Sequence, residues 1–261
     1  MTPAAHEPAD TGGTPWGGRT LTGTSTGFDA DVGAADPQVL EALVARASDP
    51  SVEHDVQLMR RVTSARWIVP LVATLTQVEQ LERVDGRVIE TSTELAAVTL
   101  TAPDGRRALP VFTGTAALAA WDAAARPVPV TAARAAQAAL AEGCDVLVVD
   151  VGSAASTELR PSMVQALAHG REWAPAHLDP FVAQCISSAV AAEQSVVEHR
   201  LVEGTPSGAG VLRLVLGLPP GLRQADVQDL TARVAERLAA DGEFRVRVDG
   251  LTFALVTSAW P

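Results

Sequence analysis

Lysine and tyrosine are absent from this chain of 261 residues, so all twenty of its basic residues are arginine. Without lysine the chain cannot form a Schiff base with a carbonyl substrate or supply the lysine of a phosphate-binding P-loop. We attribute the bias toward arginine to GC-rich codons. Cysteine is scarce as well, since the chain has two, Cys144 and Cys185. They form neither a CxxC pair nor a disulfide framework.

Long hydrophobic runs are also missing. Apolar runs such as residues 146–149 are much shorter than the roughly 20 residues that a membrane-spanning helix needs. The N-terminal sequence MTPAAHEPAD has neither the positive region nor the apolar core of a signal peptide. These absences predict a cytoplasmic protein with reduced thiols and no membrane association.

Positive charge is outweighed by negative charge, which leaves a formal net charge of −11. An acidic field of this size repels polyphosphates, so we expect no nucleic-acid partner. Aromatic residues make up only 4% of a chain that is 47% hydrophobic. The predicted core is therefore aliphatic and rich in alanine, and the length suits one large domain or two small ones.

The clearest local pattern that is present covers residues 98–121, VTLTAPDGRRALPVFTGTAALAAW. The alternating apolar residues at its start predict a half-buried strand. The APDG sequence then predicts a tight turn, and residues 109–112 predict a returning strand. Thr113 or Thr115 is then predicted to cap a helix with its hydroxyl. The PVFTG sequence is either part of a core strand, which we favour, or the backbone-lined edge of a pocket.

Shifts in composition divide the chain into four predicted segments. Residues 1–35 are rich in Gly, Thr, Ala and Pro and predict a disordered or loosely docked tail. Residues 36–172 and 181–261 each alternate helical and strand patterns, which predicts two α+β domains. Residues 173–180 lack periodicity and contain two prolines, so they are predicted to be the linker.

The predicted order of elements in the C-terminal segment, after its first helix, is strand, strand, helix, strand, strand. Its last two strands are predicted to form a hairpin over residues 244–256, because Asp249-Gly250 is a strong two-residue turn sequence. Folding the chain about that turn puts three apolar pairs on one face and Arg245 and Arg247 on the other. The predicted fold is therefore α+β, with a β-β-α-β-β sheet and a helix packed on one face in the second domain.

Several of these stretches resemble the SseB family, the enhanced-serine-sensitivity proteins, and are most similar to its actinobacterial branch. The similar sequences are RWIVPLVA at 66–73, TAPDGRRALPVFTGTAALAAWD at 101–122 and RPVPV at 126–130. The resemblance covers nearly the whole chain, since VLRLVLGLPPGL at 211–222 is similar to the family's C-terminal domain. It implies an α+β, cytoplasmic bacterial protein with no established catalytic residues, so no catalytic, cofactor-binding or metal-binding residue is predicted and no cofactor is expected.

Three residues stand out as candidate contacts with a ligand or a protein partner. Asp150 follows a predicted buried strand, where a carboxylate either binds a polar ligand or caps the next turn, and we favour the capping role. Other family members often have Asn-Pro at this place. Arg106 and Arg107 lie at the tip of a turn in an acidic protein, where they either dock an acidic partner or remain solvated.

Histidines and carboxylates gather around the predicted linker. His169, His177 and Asp179 lie there with Glu172, and such side chains can bind a small ligand or a metal ion. Their spacing matches no known metal site, so no metal is predicted. His54 and Asp55 lie on an amphipathic helix and are expected to be solvated.

Two functions remain open at the level of sequence. The favoured one is a non-enzymatic interaction or regulatory protein that contacts a protein partner or associates with itself. It depends on the missing nucleophile–base pattern, because both cysteines lie in apolar surroundings that suit core residues. The alternative is a small-molecule-binding protein or an enzyme that uses a cleft between the domains near Asp150, His169, His177 and Asp179.

Overall fold

A computed structural model describes residues 28, 31–75, 93–103 and 105–258 of the chain. Helices and strands follow one another in mixed order, which confirms the predicted α+β class. Most of the predicted tail lies outside the described residues, and the described residues from 33 onward form one compact unit. The domain boundary over 173–180 remains a prediction.

The elements in chain order are α1 (Pro37–Ser48), α2 (Val52–Val62), β1 (Arg66–Leu75), β2 (Thr93–Ala97), β3 (Leu100–Thr101), β4 (Arg107–Val111), α3 (Thr115–Trp121), β5 (Arg126–Thr131), α4 (Ala132–Ala141), β6 (Val146–Val149), β7 (Thr157–Leu159), α5 (Pro161–Ala168), α6 (Pro180–Ala191), β8 (Glu198–Glu203), β9 (Val211–Leu218), α7 (Gln224–Ala240), α8 (Gly242–Arg247) and β10 (Gly250–Thr257). Within the described residues, none of these helices is both long and apolar enough to cross a membrane.

Local sequence sets where most helices begin. Asp36 caps α1 by accepting a bond from the backbone N–H of Gln38 at 2.8 Å, and a proline follows it at the first helical position. Asp179 begins α6 in the same way, with its Oδ1 2.8 Å from the N–H of Phe181. The predicted cap of α3 is wrong, because Gly114 holds the cap position and Thr115 is the first helical residue.

Three sheets form the strand framework of the described residues. The first has the order β2-β1-β5 and is antiparallel. The second has the order β3-β4-β6-β7, with β4 and β6 parallel. Ile68 of β1 and Phe112 exchange two backbone hydrogen bonds of 2.9 and 2.8 Å, which join these two sheets. The third sheet has the order β10-β9-β8.

Apolar side chains fill separate cores in the two halves of the chain. The larger core lies between the first two sheets and helices α1, α2, α4 and α5, and includes Val111 and Cys144. Phe112 is fully buried in a small neighbouring core, 5.3 Å from the Trp121 ring between centroids. The PVFTG sequence therefore contributes core residues. The third core packs α6, α7 and α8 on one face of the β8–β10 sheet.

The predicted C-terminal hairpin is wrong. Asp241 caps a short helix instead, with its Oδ1 accepting bonds from Glu243 and Phe244 N–H at 2.9 and 3.0 Å. β10 then runs parallel to β9, in a register that pairs Leu251 with Leu212. Parallel neighbours need a long crossover, which α7 and α8 supply. The second half is thus β-β-α-α-β, because burying Phe244 of α8 in the core outweighs the local turn preference of Asp249-Gly250.

Candidate functional site

Asp150 ties the carboxyl ends of two neighbouring strands together. It follows β6, has a positive φ of 49° and is only 4% exposed. Its Oδ1 accepts the backbone N–H of Thr113 at 2.8 Å and its Oδ2 accepts the Thr113 hydroxyl at 2.7 Å. Both carboxylate oxygens are thus used within the protein. They bond Thr113, which lies before α3 and not in the turn after Asp150, so the side chain does not make the predicted cap of that following turn.

The three candidates near the predicted linker occupy different settings. His169 ends α5 and its Nδ1 lies 2.9 Å from the carbonyl oxygen of Gln165, on the surface. Asp179 is buried as the cap of α6, and its Oδ2 accepts a bond from Arg247 at 3.0 Å. His177 lines an internal cavity that Asp150, His169 and Asp179 do not line. Asp179 is linked to that cavity through Arg247, which forms part of its wall.

The two arginines at the β3–β4 turn differ in their contacts. The Nη1 of Arg106 lies 3.0 Å from the Oε1 of Glu158 on β7, and both side chains are about half exposed. Arg107 lies within β4, and its Nη2 is 3.5 Å from the Thr99 hydroxyl. Docking of an acidic partner by this pair stays a prediction.

Charged side chains converge most densely around Arg160, the residue before α5. Its Nη1 lies 2.9 Å from Oδ2 of Asp55 on α2, and its Nε lies 3.1 Å from Oδ2 of Asp249. Asp55 is 1% exposed and also accepts a bond from Arg46 of α1. We call Arg46, Asp55, Arg160, Ser162 and Asp249 the Arg160 network. It joins the first two helices and the start of α5 to the segment before β10.

Asp249 also supplies the cap that α5 lacks locally. The first residue of that helix is a proline, and the Arg160 side chain makes no cap hydrogen bond. Oδ1 of Asp249 accepts the N–H of Ser162 at 2.7 Å, and Oδ2 accepts the Ser162 hydroxyl at 2.8 Å. A carboxylate at a helix N-terminus is favoured by the exposed backbone N–H groups and the helix dipole. A residue 87 positions away in sequence thus completes this helix start.

A glycine-containing loop closes the network from the side of the second half. The carbonyl oxygen of Gly208 accepts bonds from Arg46 at 3.0 Å and Arg160 at 2.9 Å. Gly210 has a φ of +77°, and a Cβ there would lie 2.4 Å from the Nε of Arg160. Glycine is required at that position because the arginine needs the space and because the conformation is strained for other residues.

The cavity inside this arrangement is small. Its volume is about 20 Å³, which is room for about one water molecule. One wall is Trp173, whose Nε1 donates to the Ser162 hydroxyl at 3.0 Å and whose ring centroid lies 5.7 Å from the Arg160 guanidinium carbon. Among the described residues, no buried side-chain nitrogen or oxygen lacks a hydrogen-bond partner. The buried polar groups around the cavity are therefore already hydrogen-bonded.

Sequence reasoning missed this network. Asp55 was expected to be solvated, and that expectation is wrong. A signal was present, because Asp55 shares the face of Val52, Met59 and Val62 on α2, so an acid interrupts an apolar stripe. The local sequence predicts a hairpin turn at Asp249, and nothing near it in sequence indicates that its partners are Arg160 and Ser162.

Neither cysteine has the surroundings of a reactive thiol. Cys144 is 1% exposed, and burial raises the pKa of its thiol. Burial also raises the pKa of Cys185, and a hydrogen bond to Asp241 adds to the increase. A raised pKa lowers the fraction of nucleophilic thiolate at neutral pH. Across the part of the chain that the structure describes, no three His, Cys, Asp or Glu side chains are grouped to hold a metal ion.

The first half of the chain matches a known family. Residues 39–166 match the family model of the SseB protein N-terminal domain, which covers the chain from α1 into α5. No curated protein and no solved structure shows significant similarity to the chain. The matched range contains both strands joined by Asp150, as well as Arg160 and Asp55, whereas Asp249 lies outside it. The chain thus carries an SseB N-terminal domain over residues 39–166, which supports its membership of the SseB family.

Proposed function

We propose that this chain is a non-enzymatic interaction or regulatory protein of the cytoplasm. The observation that supports it is the closed Arg160 network. The carboxylates of Asp55 and Asp249 each bond Arg160, and the cavity they line has a volume of only about 20 Å³. Paired buried charges of this kind specify how parts of a protein fit together, at a desolvation cost. The network serves assembly of the fold, and the contacts that define the function are made at the surface.

Arg106 and Arg107 are the proposed contact residues for a partner. Arg106 is about half exposed, and its side chain bridges the β3–β4 turn to Glu158. An exposed pair of this kind exchanges partners at little cost, since its net contribution to stability is about 0–1 kcal/mol. An acidic segment of another protein can therefore replace Glu158, and complementary charge speeds and orients such docking.

Affinity capture from the native host tests this function. We expect the wild-type chain to enrich a specific partner that the Arg106→Ala/Arg107→Ala variant loses. The matched control is Arg223→Ala/Arg245→Ala, which removes two exposed arginines from the other half of the chain. Loss in both variants would indicate a general charge effect. Absence of any enriched partner, together with turnover in a broad substrate screen, would contradict the proposal.

A second candidate function is binding of a small ligand at the cavity beside His177. It is favoured by the convergence of His177, Arg160 and Asp249 on one space. Because that space holds about one water, a ligand larger than this needs the segment carrying Trp173 and His177 to move. A thermal-shift screen against small metabolites tests the idea. A shift that His177→Ala abolishes supports it, and a set of shifts unchanged by that substitution excludes this site.

A further inference from the structure

Strand β10 is an open edge of the C-terminal sheet. The sheet order is β10-β9-β8, and within the described residues no strand lies on the outer side of β10. An open edge presents unpaired backbone N–H and C=O groups, and proteins usually protect such edges with charges, prolines or bulges. The sequence of β10, GLTFALVT, contains neither charge nor proline over its eight residues.

The other edge of the same sheet is protected in the usual way. β8 has the sequence EHRLVE, which places Glu198, Arg200 and Glu203 along it. The contrast matters because the chain carries a net charge of −11. Two copies of an acidic protein approach each other most easily where neither presents charge. In the C-terminal sheet, β10 is the edge that meets this condition.

The ladder between β9 and β10 shows which backbone groups of β10 are open. The N–H of Ser258 donates to the carbonyl oxygen of Leu218 at 2.9 Å, and the register pairs Thr257 with Leu218. In a parallel ladder, alternate residues direct both backbone groups to the same side. The even-numbered residues of β10 therefore direct their backbone N–H and C=O groups toward β9. The groups that point outward belong to the odd-numbered residues Leu251, Phe253, Leu255 and Thr257.

Exposed apolar side chains lie on the same strand. Leu255 is 48% exposed and Val256 is 36% exposed. Leu255 continues the face on which Leu251 and Phe253 pack against the C-terminal core. A neighbouring strand in the right register therefore covers Leu255 and extends that apolar face, in addition to satisfying the open backbone groups.

We propose that two copies of this chain associate through β10, antiparallel about a two-fold axis, to form one six-stranded sheet of order β8-β9-β10-β10-β9-β8. The inference depends on the proposed interaction function and adds a partner and a surface to it. A two-fold axis at Ala254 makes the outward residues pair with each other. It opposes Phe253 of one copy to Leu255 of the other and puts the apolar faces of both sheets on the same side. No charges oppose each other in this pairing.

Sedimentation velocity of the full chain over a concentration series tests the dimer. We expect wild type to dimerise reversibly and Leu255→Glu to weaken dimerisation by about tenfold or more, since the two-fold axis loses two apolar pairs and brings in two buried charges. Leu255→Thr retains strand preference and all backbone bonds, so its effect is expected to be smaller. The matched control is Leu178→Glu, which replaces another exposed leucine (63% exposed) outside β10 and should leave dimerisation unchanged.

Hydrogen exchange locates the contact. In the dimer, the amides of Leu251, Phe253 and Leu255 should gain protection as protein concentration rises. The proposal is overturned if the wild-type chain stays monomeric up to about 100 μM, because a dimer with a micromolar Kd is mostly formed at that concentration. So does a dimer that Leu255→Glu leaves intact, or a monomer whose β10 pairs with an extended segment of a different protein. A monomer that still captures a partner through Arg106 leaves the proposed function standing, so the two failures are distinguishable.

Discussion

Arg160 shows how much one side chain can contribute when its partners cannot reach water. It bonds Asp55, Asp249 and the carbonyl oxygen of Gly208, and its own side chain is 11% exposed. The arginine stands at the beginning of a helix, where the helix dipole disfavours positive charge. Two buried carboxylates outweigh that penalty. Removing the arginine would leave both carboxylates without their shared cation.

We therefore expect Arg160→Ala to lower the free energy of unfolding by about 3 kcal/mol, because it leaves the buried carboxylate of Asp249 without its cation and leaves Asp55 with Arg46 alone. Arg106→Ala, which breaks an exposed pair with Glu158, should cost no more than about 1 kcal/mol. Urea unfolding followed by circular dichroism measures both. Equal effects of the two substitutions would contradict the assignment of the Arg160 network as the main charged contact of the fold.

Asp150 offers a second test at the level of single residues. Asparagine tolerates the left-handed backbone and keeps one acceptor for Thr113, so Asp150→Asn should cost about 1 kcal/mol. Asp150→Ala loses both hydrogen bonds and adds backbone strain, so it should cost about 3 kcal/mol. Thermal and urea unfolding of the two variants give the comparison. Two variants as stable as wild type would favour the ligand-binding role for Asp150.

At the scale of elements, Glu193 joins α6 to α7. Its carboxylate accepts bonds from Arg233 at 2.7 Å and Arg237 at 2.6 Å, and it is 7% exposed. The bond from Arg233 is the largest cause that lowers the pKa of Glu193 from 4.5 to about 2. A lowered carboxyl pKa means that the folded state binds its proton less readily than the unfolded chain does. The pairing thus stabilises the protein fully above pH 4.5.

This stabilisation should be lost as the pH falls from 4.5 through 2, where Glu193 becomes protonated. Across that range, we expect the free energy of unfolding of wild type to fall by about 1–2 kcal/mol more than that of Glu193→Gln. This value is smaller than the pKa change alone implies, because solvent screens the partly exposed arginines. Urea titrations at several pH values measure the difference. Glu236→Gln, on the exposed side of α7, is the control and should retain the wild-type slope.

At the scale of the whole molecule, the two halves have separate cores but shared polar contacts. The core of the first half and the core of the β8–β10 sheet share no buried residues. Contacts between α5 and α8 and the bonds of Arg160 and Asp249 connect them. The described residues from 33 onward accordingly form one compact unit. Connected cores of this kind unfold together when the contacts between them are strong enough.

We predict a single unfolding transition for wild type that coincides in far-ultraviolet circular dichroism and tryptophan fluorescence. The chain has five tryptophans, and replacing Trp16 and Trp260 with phenylalanine leaves Trp67, Trp121 and Trp173. Fluorescence then reports mainly on the cores of the first half, whereas circular dichroism reports on both halves. Arg160→Ala should separate the two curves, because it removes the main charged contact between the halves. Two transitions in wild type would instead support independent domains on either side of residues 173–180.

Local sequence was enough to predict the α+β class and the strands β4 and β6, and it also explains the helix starts at Asp36 and Asp179. These features depend on caps, turns and hydrophobic periodicity within a few residues. The family resemblance, confirmed over residues 39–166, also came from short stretches of sequence.

The tertiary structure alone decided the partners of residues far apart in the chain. Arg160 meets Asp55 across 105 positions and Asp249 across 89, and no local pattern encodes such a pairing. The final hairpin failed for the same reason. The turn preference of Asp249-Gly250 is a small local free energy, whereas pairing β10 with β9 and burying Phe244 involve a whole sheet and core. Where a strand pairs depends on all the surfaces it can cover, which sequence periodicity does not specify.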